Sequence, residues 1–194
     1  MSDHTIVLVG SGPGIRHYRF AINAPHGAVS SGCRKMGRSP DLFFGCDGPG
    51  MFPAHIPRDE SISRHIPTMC MPWWRDWNVT LWDTCETGEP NFTDRDAPVM
   101  DHRPWSQGDP PAPHSLVFAV QVAALLGFDR LVFAGVDLLE PHLQPIADLL
   151  ETWAPAAAAA GVEWINISPN SALAGFMPTM CSLEASRCLT MVPA

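Results

Sequence analysis

The chain has 194 residues, 46% of them hydrophobic, and a formal net charge of −8 at pH 7. This size and composition are typical of one globular domain with a buried core, and no apolar run approaches the ~18 residues of a membrane span. The acidic balance argues against non-specific coating of nucleic acid, because that mode of binding requires Lys and Arg side chains that neutralise phosphates.

The start of the chain and the cysteines favour the cytoplasm as the location. The first residues are acidic rather than basic, and the apolar run that follows them is too short for a signal peptide. The six cysteines are scattered without a C-x-x-C pair, which indicates neither a zinc site nor a disulfide framework. We therefore expect a cytoplasmic protein with reduced cysteines and no membrane span.

The predicted elements alternate between strands and helices. Short apolar runs predict strands, and longer apolar segments predict helices. In chain order we expect strands at residues 6–9 and 18–22, a short helix at 28–36, strands at 42–46 and 78–82, a buried helix at 114–128, a strand at 130–136, a helix at 143–160 and a last strand at 162–167. This alternation predicts an α/β fold with a doubly wound, mostly parallel sheet of the Rossmann-like type.

Residues 48–113 fit this alternation least well. They are rich in Pro and Trp, and later in Asp and Gly, with little periodicity outside the strand expected at 78–82. Long irregular segments of this kind often carry a lid or a binding site. We therefore expect one α/β domain over residues 1–194, with 48–113 as an irregular insertion or lid.

The turn after the first predicted strand is rich in glycine. It consists of Gly10, Ser11, Gly12, Pro13 and Gly14. Glycine lets a backbone turn sharply and present N–H groups to a ligand, as a phosphate-binding loop requires, although a tight turn without a ligand is the alternative. Residues 5–39 contain several Lys and Arg but no acid, which favours an anionic ligand over a solvated basic face.

Two common nucleotide-binding motifs do not fit this turn. The G-x-G-x-x-G fingerprint requires a glycine where the chain has Ile15, and an acid about twenty residues further on, whereas no acid lies between Asp3 and Asp41. The P-loop motif requires Gly-Lys and then Ser or Thr after four intervening residues, but Ile15 and Arg16 stand at the Gly and Lys positions. The sequence therefore disfavours both a nicotinamide site and a P-loop.

Polar residues follow several of the predicted strands, and the carboxyl ends of parallel strands meet at one edge of a sheet. Asp137 follows an otherwise apolar strand, so its carboxylate must meet a ligand or metal, or be held by hydrogen bonds. We predict that it meets a ligand.

Two further polar residues next to predicted elements each have two interpretations. Asp47 is either a ligand contact or a turn-forming residue before Gly48. His114, before the predicted helix, is either a phosphate donor or a solvent-facing side chain.

Three stretches, VLVGSGPG, HSLVFAVQVAALLGFDRLVFAGVDL and INISPNSAL, carry a family resemblance. The first two resemble the bacterial sialyltransferases that build lipooligosaccharide, and a broader Rossmann-like set that includes archaeal-type 6-hydroxymethylpterin pyrophosphokinases and many phage proteins. In both groups a strand and a G-[NS]-G-P loop open the fold, and a helix headed by Ser leads to a strand ending in G-[IV]-D. The third stretch is similar to the segment that follows in the broader set. The resemblance covers about half the chain and implies a sialyltransferase-like (GT-A) variant of the fold.

The resemblance also implies roles for single residues. Ser11, Gly12 and Pro13 would lie against the nucleotide phosphates, and Asn23 near the ribose and phosphate of a cytidine nucleotide. Ser115 matches the serine that heads the nucleotide-contacting helix, and Gly135 and Asp137 match the end of the next strand. The catalytic base of the sialyltransferases is a histidine well beyond that strand, where this chain has only His142. The base is therefore His142, or another group such as Asp137, or the chemistry differs.

Two further clusters have open interpretations. Asp94 and Asp96 have the D-x-D spacing that holds a divalent metal in many glycosyltransferases, but such a pair is more often part of a solvated loop. Trp73, Trp74 and Arg75 either stack on an acceptor sugar or an extruded base, or form a core plug or an oligomer contact. We take them as the predicted acceptor site.

The leading expectation is a transferase that uses a nucleotide-activated donor. It would be a glycosyltransferase that moves a sugar from a nucleotide sugar to the hydroxyl of a glycan, or of a hydroxymethylated base in phage DNA. The first alternative is a pyrophosphokinase that uses ATP and magnesium, with Asp47 and Asp137 as ligands of the metal. The second is a non-catalytic nucleotide-binding phage protein. Oligomeric state and dependence on a divalent metal stay open.

Overall fold

The computed structural model describes residues 4–18, 22–86, 88–101 and 114–181. The strands in these ranges are β1 Thr5–Val9, β2 His26–Val29, β3 Leu42–Phe44, β4 Ser63–Pro67, β5 Thr80–Trp82, β6 Thr84–Cys85, β7 Val99–Met100, β8 Arg130–Ala134 and β9 Glu163–Asn166. The α-helices are α1 His55–Arg58, α2 Met71–Trp74, α3 Ser115–Leu125 and α4 Gln144–Ala159. Short 3-10 helices include Pro13–His17 after β1 and Ser30–Lys35 after β2.

Seven strands form one sheet in the order β5-β4-β3-β2-β1-β8-β9, and every pairing in it is parallel. From β1 the chain builds the sheet outward to β5, and it then returns to the other side of β1 to add β8 and β9. The strand order therefore reverses between β1 and β8, which is where ligands bind in open α/β sheets. The predicted α/β class with a mostly parallel, Rossmann-like sheet is confirmed.

The centre of the sheet is covered by α3, which packs against β2, β3 and β8. This helix is apolar on nearly all of its surface, and a helix of that composition is stable only when it is buried. Its residues are indeed buried except for Ala124. The strands at the centre of the sheet are equally apolar, since β1 is buried along its whole length.

The second strand is not where the sequence predicts it. Tyr18 and Ile22 lie outside the strands, and residues 19–21 are outside the described ranges. The strand beside β1 is instead β2, whose His26 pairs with Val7. The helix expected at 28–36 is also wrong, because its first two residues belong to β2 and the following ones form the 3-10 helix. The sequence HGAV is a weak strand signal, but Gly27 leaves room for Phe44.

Part of the expected insertion belongs to the main sheet. Strands β4 and β5 lie within residues 48–113 and form one side of the sheet, so the description of that range as an irregular insertion needs correction. The sequence does not predict β4 because the strand contains the polar residues Arg64 and His65, which are buried. The guanidinium of Arg64 donates to the carbonyl oxygens of Ile56 (2.7 Å), Asn78 (3.0 Å) and Asp59, which compensates its burial.

The segment after β5 forms a small separate sheet of β6 and β7, which packs against α3. Within the described ranges the cysteines form no disulfide. The helices of those same ranges are all too short or too polar to cross a membrane. Residues 102–113, the rest of the expected insertion, lie outside the described residues.

Candidate functional site

A cleft of about 870 Å³ opens at the carboxyl ends of β1, β2, β3 and β8, beside the start of α3. We call it the switch-point cleft, because it lies where the strand order reverses. Its size falls within the range of ligand pockets, about 300–1,000 Å³. It brings together most of the residues singled out in the sequence, which are Gly10, Ser11, Gly12, Pro13, Asp47, His114, Ser115, Gly135, Asp137 and His142.

The glycine-rich loop, residues 10–14, is fastened to the end of β8 by its own N–H groups. Gly10 donates to the carbonyl of Ala134 and Gly12 to that of Gly135, each at 2.8 Å. Gly14 donates to Oδ2 of Asp137 at 2.5 Å. Only the N–H of Ser11 is left without a partner in the described residues, since Pro13 has none. The loop therefore offers a ligand fewer N–H groups than its glycine content suggests.

Close packing also explains why these positions are glycine. A Cβ on Gly10 would lie 2.5 Å from the carbonyl oxygen of Gly135, and one on Gly14 would lie 2.2 Å from Oδ1 of Asp137. Gly135 has φ of +66°, and a Cβ there would lie 2.7 Å from that of Ile15. The glycines thus let two loops touch, which is a structural requirement independent of any ligand.

Asp137 lies buried where the glycine-rich loop meets the segment after β8. Its side chain is buried, and Oδ2 accepts the Gly14 bond. Its other oxygen, Oδ1, is buried without a hydrogen-bond partner in the described residues. Its carbonyl oxygen accepts from the N–H of Ala172 at 2.8 Å, which fixes the backbone. Of the two outcomes that the sequence left for this acid, the hydrogen bond is therefore observed for one oxygen, and contact with a ligand stays a prediction.

Serine hydroxyls that the sequence analysis did not identify line one side of the cleft. Ser31 Oγ donates to Ser11 Oγ at 2.9 Å, and Ser30 Oγ donates to Oδ2 of Asp47 at 3.2 Å. Ser30 has φ of +47°, and Leu138 on the opposite side has φ of +52°. Such backbone strain in residues other than glycine concentrates at functional sites. Because the sequence predicts a helix over residues 28–36, it does not indicate that Ser30 and Ser31 follow the end of a strand and line a cleft.

Asp47 is exposed at the cleft, and its backbone is held by a tryptophan. The indole Nε1 of Trp74 donates to the carbonyl oxygen of Asp47 at 2.8 Å. Trp74 itself is fully buried against Phe43 and Phe52, so it is a core residue and is unavailable for stacking on an acceptor. Its assignment to the acceptor site was wrong.

The rest of the proposed acceptor site lies elsewhere on the surface. Trp73 and Arg75 are exposed, but neither lines the switch-point cleft. Trp73 lies beside Gly48, one residue beyond Asp47. Arg75 is 4.0 Å from Asp76 in a solvent-exposed ion pair. The described structure therefore divides the tryptophan cluster into one core residue and an exposed pair outside the cleft.

The start of α3 reaches the cleft, as expected, but its polar side chains are engaged in holding the fold. Nδ1 of His114 accepts from the N–H of Leu116 at 3.3 Å, so His114 caps the helix. Oγ of Ser115 accepts from the N–H of Cys46 at 3.2 Å and ties α3 to the end of β3.

His142 lies on the far side of the cleft, in a short turn after β8. Its Nε2 is 3.3 Å from Oε2 of Glu140, and both side chains are largely exposed. An imidazole beside a carboxylate is the arrangement found in general bases, because the carboxylate orients the ring.

Asn23 does not belong to this site. It precedes β2 instead of ending a strand, so it lies at the amino end of the sheet, whereas the cleft is at the carboxyl ends. The contact with a ribose and phosphate that the resemblance implied for Asn23 therefore needs correction. The expectation failed because the second strand begins at His26, three residues after Asn23, and does not end at Asn23.

The charge of the cleft differs from the sequence expectation. Its described lining includes Asp47, Asp137 and Glu140 but neither Lys nor Arg. Arg34 and Arg38, from the acid-free segment, line a different and smaller cleft.

In the described ranges no three His, Cys, Asp or Glu side chains cluster as a metal site would require. Asp94 accepts the N–H of Asp96, as in an ordinary turn.

Comparison of the chain with protein-family models, with curated proteins and with solved structures gave no match.

Proposed function

We propose that the protein is a transferase that binds a nucleotide-activated donor in the switch-point cleft and transfers its activated group to a hydroxyl acceptor. One observation carries this proposal: the glycine-rich loop, the start of α3, the strand-end Asp137 and the His142–Glu140 pair line a single cleft at the point of strand reversal. A fold of the sialyltransferase-like type, and a nucleotide sugar as the donor, are parts of the same proposal.

The charges of the cleft favour a donor with few phosphates. Three carboxylates without a facing Lys or Arg among the described lining repel a triphosphate more strongly than a sugar linked through one phosphate diester. Serine hydroxyls and carboxylates are also the groups that hydrogen-bond sugar hydroxyls. We therefore place the sugar between Ser30, Asp47 and the His142 side of the cleft.

His142 is the general base of the proposed reaction, and Glu140 orients it. The base removes the proton of the acceptor hydroxyl while the acceptor oxygen forms a bond to the anomeric carbon, and the bond from that carbon to the phosphate oxygen breaks. Asp137 holds the glycine-rich loop in the position in which it meets the donor phosphate. The N–H of Ser11 stabilises the departing phosphate.

The carboxylates also favour a second candidate, pyrophosphoryl transfer from ATP. Asp47 and Asp137 both line the cleft, and a magnesium ion between carboxylates and phosphates would offset the repulsion described above. The two candidates differ in one measurable requirement. The pyrophosphokinase depends on a divalent metal, whereas transfer from a sugar nucleotide in this cleft proceeds in its absence.

The test is an activity screen of the purified protein with a panel of nucleotide sugars and with ATP, each with magnesium or with EDTA. Mass spectrometry detects nucleotide release and transfer to hydroxyl acceptors. We expect release from one sugar nucleotide that persists in EDTA and falls by about 10²-fold in His142→Ala, the scale of a lost base. His17→Ala, another exposed histidine outside the cleft, is the matched control. Turnover of ATP that EDTA abolishes would instead establish the second candidate.

A further inference from the structure

A second cleft, of about 310 Å³, collects basic side chains, and we call it the basic cleft. Arg34, Arg38 and His55 line it, and its described lining includes no Asp or Glu. The two arginines belong to the acid-free segment 5–39 of a chain whose net charge is −8. Arg34 and Arg38, which the sequence led us to expect near the glycine-rich loop, therefore line the basic cleft instead.

Arg38 is held from inside the protein. Its Nη2 lies 2.6 Å from Nδ1 of His26, and Nε2 of His26 is hydrogen-bonded to the hydroxyl of Tyr18. Both rings are buried. A guanidinium can only donate, so Nδ1 of His26 accepts and its ring is neutral with the proton on Nε2. Burial, with a smaller contribution from Arg38, lowers the pKa of His26 to about 4, which keeps the ring neutral at pH 7.

Arg34 is held by the carbonyl oxygen of Met51, to which its Nη2 donates. Within the described residues neither Arg34 nor Arg38 forms an ion pair with a carboxylate. Asp59 accepts from Ser39, a residue of the cleft, at 3.0 Å, but does not itself line it. Burial raises the pKa of the Cys33 thiol, so this side chain adds no negative charge. Two guanidinium groups thus line the cleft, and neither forms an ion pair with a carboxylate of the described residues. The nearest carboxylates accept from other groups, since Asp41 accepts from the N–H of His26 at 2.8 Å.

We propose that the basic cleft binds a phosphate group, which Arg34, Arg38 and His55 contact. Planar guanidinium groups bind the oxygens of a phosphate in pairs, and a fixed guanidinium loses less entropy when it does so. The volume is at the lower end for ligand pockets and fits a phosphate with a small substituent better than a whole nucleotide. The 3-10 helix Ser30–Lys35 carries Ser30 at the switch-point cleft and Arg34 at the basic cleft, so this helix joins the two sites.

The test is calorimetric titration at low ionic strength with inorganic phosphate, a hexose phosphate and the same hexose without phosphate. The variants are Arg38→Gln and Arg34→Gln. Arg58→Gln is the matched control, because Arg58 is an exposed arginine of the adjacent α1 that does not line the cleft. Circular dichroism verifies the fold of each variant. Two independent arginine variants keep the test valid when one of them fails to fold.

We expect one phosphate-dependent site per chain, weakened by about tenfold or more in each cleft variant and by less than about twofold in Arg58→Gln. Tighter binding of the hexose phosphate than of inorganic phosphate identifies a sugar phosphate as the ligand, and equal affinities identify the phosphate group alone. Phosphate binding that is equal in all variants, hexose binding that the arginine variants weaken as much as phosphate binding, or absence of phosphate binding to the wild type at millimolar concentrations overturns the proposal.

Discussion

The N–H of Gly14 donates to Oδ2 of Asp137 at 2.5 Å, and this bond fastens the glycine-rich loop to the segment after β8. The two residues are 123 positions apart in the chain. The side chain of Asp137 therefore adds to the backbone bonds from Gly10 and Gly12 that join the two loops at the point of strand reversal. The other oxygen of the same carboxylate is buried without a partner in the described residues. The hydrogen bond to Gly14 requires one side-chain oxygen but not the negative charge, so the effect of the bond and the effect of the charge can be tested separately.

Replacement of Asp137 separates these effects. Asp137→Asn keeps an oxygen for the Gly14 N–H, so we expect a free energy of unfolding within about 1 kcal/mol of the wild type. Asp137→Ala loses the bond and creates a small void, and we expect a loss of about 2–3 kcal/mol. Urea denaturation measures both. Turnover of Asp137→Asn falls by about 10²-fold if the charge acts on the donor. An Asn variant that is unstable but has full specific activity when folded would show that the residue is structural only.

Ser30 provides a test of backbone strain at the cleft. Its φ of +47° is unfavourable for serine but not for glycine, so Ser30→Gly should raise the free energy of unfolding by about 0.5–1 kcal/mol. The neighbouring Ser31 lacks a positive φ and serves as the matched control, since Ser31→Gly should lower that free energy by a similar amount. Chemical denaturation of the two variants side by side distinguishes the effects. Equal destabilisation by both would argue against strain at Ser30.

Two buried histidines make the fold sensitive to acid. Burial lowers the pKa of His26 and of His65 to about 4, below the ~6.5 of an unfolded chain. Nδ1 of His65 accepts from the indole of Trp82 at 3.1 Å, so the ring is neutral like that of His26. Between pH 6.5 and 4 the unfolded state binds more protons than the folded state, and stability must therefore fall as the pH is lowered through this window.

The expected loss is up to about 3 kcal/mol for each histidine, and it is complete below about pH 4. Urea denaturation at closely spaced pH values measures the slope. His65→Gln should reduce the slope in this window, whereas His17→Gln, a substitution of an exposed histidine, should leave it unchanged. A free energy of unfolding that is constant from pH 7 to pH 4 would contradict the assignment of neutral, buried rings.

Gln121 anchors the segment that contains β7 to α3. Its Oε1 accepts from the N–H groups of Asn91 (2.9 Å) and Met100 (3.0 Å), and its Nε2 donates to the carbonyl oxygens of Met100 (2.7 Å) and Val117 (2.8 Å). Gln121→Met keeps the approximate volume but removes the hydrogen bonds from the N–H groups of Asn91 and Met100 and the bond to the carbonyl oxygen of Met100. We expect a loss of about 3 kcal/mol, with faster hydrogen exchange in residues 83–101 than elsewhere. Uniform destabilisation, without faster exchange in that segment, would mean that Gln121 does not anchor it.

The central part of the fold was predictable from sequence because its signals are local. β1, β3 and β8 are continuous apolar runs, and α3 is apolar on all sides, so each element appears without knowledge of its neighbours. The order of the glycine-rich turn, the helix and the strand ending at Asp137 then indicates where a site would lie. These features depend on composition and on chain order alone.

The elements that the sequence analysis missed depend on partners that are distant in the chain. β4 contains Arg64, whose burial is compensated by the carbonyl groups of Ile56 and Asp59 at α1 and of Asn78 before β5. β2 is a strand because Gly27 fits beneath Phe44, which no local pattern reveals. The burial of Trp74 and the hydrogen bonds of the glycine-rich loop to β8 are likewise tertiary contacts. The charge of a site therefore cannot be taken from the charge of the segment that contains it.

The effect of one charge at Ser11 on nucleotide binding tests whether the phosphate of a nucleotide donor lies against the glycine-rich loop. Ser11 is exposed at the cleft and carries the free N–H that we assign to the donor phosphate. Ser11→Asn and Ser11→Asp introduce side chains of the same size that differ in charge. Titration calorimetry with the nucleotide sugar that the activity screen identifies compares the two variants at low ionic strength. We predict that Ser11→Asp binds at least about tenfold more weakly than Ser11→Asn. Affinities within about twofold of each other, or no nucleotide binding to the wild type at millimolar concentrations, would contradict the account.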